Sequence, residues 1–169
     1  YLQRIHRSTL SLSRVQNSLL LLSRIGNQEY TQSAPVNLKD VIHRTVELYS
    51  ETIELRNIQL QQELEATVVT MDPGLADIFI TNLIKNAVKH NIHNGSITIR
   101  LSNNTLHITN SGTAPEANPE ELMERYVKGK NGNMGIGLAI VHQIAELYHF
   151  QVNYTVEPGN QHHFTIVFS

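Results

Sequence analysis

The chain has 169 residues, a formal charge of −2, 17% charged residues, no cysteine and no tryptophan. These counts exclude a disulfide scaffold, a cysteine nucleophile and a thiolate metal site. With aspartate confined to Asp40, Asp72 and Asp77, they also exclude a carboxylate cage, and the near-neutral balance excludes a strongly basic nucleic-acid binder.

No apolar run approaches the roughly 18 residues that a bilayer span needs. A start at Tyr1, with no leader pattern, reads as a piece of something longer. Residues 1–26 carry Leu2, Ile5, Leu12, Val15, Leu19 and Leu22 at steps of three, four and seven. That is a narrow seam of the coiled-coil kind, which needs a partner helix. Gly26 and Asn27 supply its stop.

Residues 28–37 are polar and contain Pro35, the composition of a linker. Asn37 caps a predicted helix over about 38–56, with Val41, Ile42, Thr45, Val46, Leu48 and Tyr49 inward. Ile58, Leu60 and Gln62 alternate as a strand does, and the β-branched run at 66–71 predicts another. Asp72 followed by Pro73 opens a helix to about His90. Residues 91–95 form a turn. Two strands, 96–101 and 105–109, then flank Asn103-Asn104, a type I′ hairpin signal.

Residues 110–134 show little periodicity beyond one helical turn near 122–126, so they read as a long functional loop. A helix opens at Met134-Gly135-Ile136-Gly137 and runs to about Tyr148, with His142 and His149 on it. Strands at 151–156 and 163–168 close the chain. The order predicts an α+β fold: a two-layer sandwich of a mixed, mostly antiparallel sheet with helices on one face, preceded by a long N-terminal helix.

Three short patterns carry chemistry. Asn82 and Asn86 are four apart and share a helix face, with Lys85 and Lys89 on the neighbouring ridge. Amide oxygens suit an Mg²⁺ held mostly by water and phosphate, and an ammonium suits a phosphate oxygen. The competing reading is a plain solvated helix face. Gly132, Gly135 and Gly137 enter a helix after a loose loop, where backbone amides can approach an anion. No buried strand precedes them, so a dinucleotide-binding turn does not fit, and no Gly-Lys-Ser/Thr follows. Asn110-Ser111-Gly112 ends an alternating strand, where an amide can read the edge of a base or simply make a turn.

Taken in order, these patterns resemble the ATP-binding domain of sensor histidine kinases, in the superfamily shared with gyrase B, Hsp90 and MutL. NLIKNAVKH is similar to the family's N box and NSG to its first glycine box. GNMGIGLAIV is similar to its second glycine box, and LMERYVKG to the lid's Phe-box. The first 26 residues resemble the second helix of the dimerisation and phosphotransfer hairpin.

The resemblance implies a Bergerat-type fold in three parts. Residues 1–27 are half of the hairpin, 28–36 a linker, and 37–169 the catalytic domain, with a lid at about 111–134. It implies ATP and Mg²⁺ as ligands, with Asn86 on the metal and Asn82 and Lys89 near the phosphates. His90 and Gly112 border the base, and Gly135 and Gly137 border the triphosphate. Arg125 and Lys128 are basic lid residues. Asn110 stands where the family has an Asp that accepts from the adenine amine, Met123 replaces the lid Phe, and His162 replaces a Thr or Ser. His6 does not match the phosphoacceptor, which is absent, and His43 is expected on a helix surface. Implied partners are a response-regulator receiver domain and a second copy through the N-terminal helix, with no nucleic acid. The implied setting is the cytoplasmic side of a membrane-associated parent. The alternative to a kinase is a degenerate nucleotide sensor or dimerisation scaffold. A serine kinase or ATPase of the same superfamily is a third reading, disfavoured by the N-terminal helix.

Overall fold

A computed structural model describes residues 16, 17, 20–27, 29, 30, 32–114 and 136–169. The first helix, α1, is helical through residues 20–26 and stops at the Gly26-Asn27 pair. Ile25 is its anchor, 2% exposed in the core, with Leu21 and Leu22 partly buried beside it. Leu2, Ile5, Leu12, Val15 and Leu19 of the expected seam lie outside the described residues, as does His6. The end of α1 is pinned locally: the Arg24 guanidinium lies 5.6 Å from the Tyr30 ring centroid and 3.0 Å from Glu29.

The linker reading is corrected at its far end. Ala34–Asn37 is a strand, β1, paired antiparallel with β3 (Val68–Met71). Pro35 is tolerated because β1 has a single strand partner. The Asn37 side chain accepts from the Lys39 amide and starts α2 (Leu38–Leu48). The predicted single helix over 38–56 is two. Tyr49 leaves helical geometry (φ −107°, ψ 3°), and α3 (Ser50–Leu55) restarts after it. Leu48, the last residue of α2, is 76% exposed, against expectation, while Val41, Ile42, Thr45 and Val46 point inward as expected.

After β2 (Gln59–Leu64) and β3, the Asp72 carboxylate accepts from the Leu75 amide at 3.1 Å and opens α4 (Pro73–Lys89). Helix α4 leads into β4 (Ser96–Ser102). Strands β2 and β4 pair in parallel, which demands the long crossover that β3 and α4 supply. Strand β5 (Thr105–Ser111) follows a turn with Asn103 and Asn104 both in the left-handed region (φ 48° and 56°), the type I′ hairpin the Asn-Asn pair predicts. β5 extends two residues beyond expectation, so Asn110 and Ser111 are strand rather than loop.

Helix α5 (Ile136–Tyr148) and strands β6 (Gln151–Glu157) and β7 (Gln161–Val167) complete the chain. His142 lies on α5, but His149 falls just past its end in the left-handed region. The five-stranded sheet has the order β2-β4-β5-β7-β6, antiparallel everywhere except β2–β4. Ile97, Ile99, Leu101, Leu106, Ile108, Phe164 and Ile166 form its buried face under the helices. Its other face is polar, with Arg100 bonded to Glu63, and His107 to Thr165. This is the expected α+β sandwich. Helix α4 packs against both α2 and α5, and Phe79 meets Phe150 edge-on behind it.

Because Ile25 is as buried as the sheet residues, α1 is part of this core. Ile25→Ala is expected to lower stability by about 2–4 kcal/mol in urea unfolding.

Candidate functional site

Helix α4 sets the site. Leu75, Phe79, Leu83, Ile84, Ala87 and Val88 fill the core side. The remaining arc carries Asn82 and Asn86, half-buried, with Lys85 and Lys89 exposed beside them. Asn82 is fixed by its own helix, its amide donating to the Ile78 carbonyl at 2.8 Å. That leaves Oδ1 directed at the first turn of α5. A side-chain carbon on Gly137 would lie 2.6 Å from it. Gly137 is therefore a point of close approach between the α5 backbone and the Asn face, where any side chain would collide with Asn82 Oδ1.

The end of α4 is held from outside. Arg56 donates to the Val88 carbonyl at 2.6 Å and to the Asn91 carbonyl. A cation on the last carbonyls of a helix also meets the negative end of its dipole. Lys89 and His90 sit between those two carbonyls. Asn91, buried, donates to Ser96 O at 2.9 Å. The Ser96 amide in turn donates to Ser111 Oγ at 2.9 Å. The ends of α4, β4 and β5 thus share one hydrogen-bonded chain.

At the mouth, Asn110 is 2% exposed and donates to Ser111 O at 2.8 Å. Gly112 donates to Asn160 O at 3.0 Å. His162, on β7, lies opposite Asn110 in register. Its ring nitrogens lie 2.6 Å from the Tyr154 hydroxyl and 2.9 Å from the Thr113 carbonyl. His90 is held below the ordinary histidine pKa, first by desolvation and then by Lys89 and His162.

The structure therefore brings together Asn82, Asn86, Lys89, His90, Asn110, Gly112 and Gly137. Met123, Arg125, Lys128, Gly135 and the short helix expected near 122–126 lie outside the described residues. His43 is exposed on α2, as expected. His93 binds the Arg56 carbonyl through Nδ1 at 2.6 Å. Sequence reasoning missed Arg56. Its partners lie 32 and 35 residues away, and only the folded chain, which brings Arg56 from just past α3 to the end of α4, reveals them.

The arrangement suits a nucleotide with its cation. Two amides one helical turn apart offer neutral oxygen donors, a glycine turn lets backbone approach an anion, and Lys89 supplies a point charge. Among the described residues there is no group of three or more His, Asp or Glu side chains that could hold a metal.

Residues 71–169 match the family described as histidine kinase-, DNA gyrase B- and HSP90-like ATPases. The heme sensor protein HssS of Staphylococcus saprophyticus is 28% identical over 176 residues, covering 99% of this chain and 38% of that protein. The chain thus spans well under half the length of that relative. The Acinetobacter baumannii histidine kinase AdeS superposes with a TM-score of 0.75 at 20% identity, over 99% of this chain and 82% of AdeS. Histidine kinase ThkA, in its complex with the response regulator protein TrrA, gives 0.73 at 22% identity, over 97% of this chain and 49% of that one. At these identities the two structures speak for the fold.

The depressed His90 pKa has a sign. The unfolded chain takes up a proton that the folded chain resists, so stability falls as pH drops through the ordinary histidine value. Melting temperatures from pH 8 to pH 5 are expected to fall less steeply for His90→Gln than for the native chain.

Proposed function

The chain belongs to the histidine kinase-, DNA gyrase B- and HSP90-like ATPase family, and from that premise we propose that it is the ATP-binding catalytic part of a two-component sensor kinase. In this reading it directs the γ-phosphoryl group of ATP to a histidine outside the chain. The single observation that carries the reading is the meeting of Asn82 with the α5 backbone at Gly137, 2.6 Å from where a side-chain carbon would stand. Amide oxygens one helical turn apart, an exposed lysine beside them and a glycine backbone nearby are donors of the kind that a triphosphate and its cation take, so the residues present fit ATP and Mg²⁺.

When bound, the nucleotide and its ion supply the transferable phosphoryl group and the charge that offsets its oxygens. This chain's residues bind and orient. Asn86 would hold Mg²⁺ through its amide oxygen. Asn82, Lys89 and the backbone at Gly137 would border the phosphates, and Asn110 and His162 the base. Arg125, Lys128 and Gly135 complete the set by resemblance. Catalysis of this kind is positioning and electrostatics, with no covalent step on the domain.

The same reading divides the chain into residues 1–27, half of a dimerisation hairpin, and 37–169, the catalytic domain. It gives the parent protein a second copy of itself and a receiver domain as partners. ThkA, captured with the response regulator TrrA, supports the latter. No helix among the described residues is long and apolar enough to cross a membrane. The reading places this piece on the cytoplasmic side of a membrane-associated parent.

Calorimetry tests it. The native chain should bind ATP in the micromolar range with Mg²⁺, and Asn86→Ala should lose tenfold or more of that affinity only when Mg²⁺ is present. Equal affinities of native and variant chains would remove Asn86 from the metal. Radiolabel passing from ATP to an added hairpin fragment bearing an acceptor histidine would establish the transfer, and none passing to it would point to the scaffold alternative.

A further inference from the structure

Helix α4 ends without a glycine. Its C-cap, His90, has φ −92° and ψ 5°, Asn91 is not left-handed either, and no glycine follows until Gly95. The left-handed turn that commonly gathers up a helix's last carbonyls is missing here. The Asn91 amide reaches back to the Val88 carbonyl only at 3.4 Å. The Arg56 guanidinium stands in for the turn, donating to the Val88 carbonyl at 2.6 Å and to the Asn91 carbonyl. Those two carbonyls bracket Lys89 and His90, and the residues that carry them, Val88 and Asn91, are buried.

Arg56 is itself fixed at its backbone. It is the C-cap of α3, and α3 does close with a left-handed turn. Asn57 has φ 50°, its amide donates to Glu54 O and the Ile58 amide to Ile53 O, both at 2.9 Å. The Arg56 carbonyl accepts from the Asn94 amide at 3.0 Å. It also accepts from His93 Nδ1 at 2.6 Å, which must carry the ring proton because a carbonyl only accepts. Asn57 Nδ2 donates to Asn94 Oδ1 at 2.6 Å, and the Gln59 amide to Gly95 O at 2.9 Å. Residues 56–59 are thus clasped to 88–95 from both of Arg56's ends, side chain and main chain. Lys89 lies inside that clasp, and its own side chain is exposed. Where its ammonium can reach depends on where its backbone is held.

We propose that Arg56 is a positioning residue for the phosphate end of the nucleotide, acting through Lys89 and resting on the reading that the Asn82–Asn86 face takes ATP. By gripping the carbonyls on either side of Lys89 and His90, it keeps the last turn of α4 from fraying and fixes the direction in which Lys89 leaves the helix. In this role Arg56 acts on backbone alone. Arg56→Lys keeps a positive charge at the helix end but lacks the planar fork that spans two carbonyls, so charge and grip can be separated.

A double-mutant cycle tests it, with ATP and Mg²⁺ as the probe, calorimetry on the full chain for affinity, and melting temperatures alongside. Arg56→Lys should weaken ATP binding by about fivefold in the native background, and by less than about twofold once Lys89→Gln is present. The fall in melting temperature on Arg56→Lys should be the same in both backgrounds. Asn57→Gly keeps the left-handed turn and removes one bond of the clasp, so it should give the same Lys89-dependent loss at smaller size, and its cycle decides if Arg56→Lys does not fold. Equal losses with and without Lys89, native affinity in Arg56→Lys, or native affinity in Lys89→Gln overturns the proposal while leaving ATP binding in place. A native chain that binds no ATP overturns the nucleotide reading and this proposal with it.

Discussion

One helix carries two obligations. Helix α4 must bury Leu75, Phe79, Leu83 and Ala87 between the sheet and its neighbouring helices, and it must present Asn82 and Asn86 at the same time. With a period of 3.6 residues, fixing the buried face fixes the other. The two amides cannot turn away without pulling a nearly solvent-free row out of the core, and each large side chain in that row is worth roughly 1.5–3 kcal/mol in burial. The precision of the site is borrowed from the packing behind it.

That packing fixes direction but not where the helix ends. The end is set by polar bonds from elsewhere in the chain. Arg56 holds two carbonyls, Asn91 reaches Ser96, and Ser96 reaches Ser111. These bonds join the ends of α4, β4 and β5, the three elements that meet at the mouth. Their donors and acceptors are buried or half-buried. Losing one leaves its partner unsatisfied, which costs more than the bond's small net contribution. Function and folding are therefore hard to separate at Arg56 and easy to separate at Lys89, which is exposed.

Two departures from the family pattern, Asn110 and His162, belong to one structural unit. Asn110 and His162 face each other across paired strands, with Gly112 and Tyr154 packed around the imidazole. As single differences each reads as a loss of the usual base contact. Together they are one packed arrangement across β5 and β7. Strand register is what brings them together, since residues 52 apart in the chain become direct neighbours.

Much was legible in the sequence because it is governed by short-range rules. The Asp72-Pro73 start of α4, the Asn103-Asn104 hairpin, the Gly26 stop and the shared face of Asn82 and Asn86 each depend on the chemistry of residues within four positions of one another. Interactions at that range are the same in any fold. The break at Tyr49, the strand inside the supposed linker, the burial of Ile25 and the grip of Arg56 were not legible. The last three depend on what a distant segment offers: a second strand for β1, a core for Ile25, carbonyls more than thirty residues away for Arg56. Sequence alone determined that Asn82 and Asn86 share a helix face and that a glycine-opened helix follows, because type and spacing act at short range. Tertiary structure decided how the site is closed at its base, because the space above Gly112 is filled by a ring from another strand.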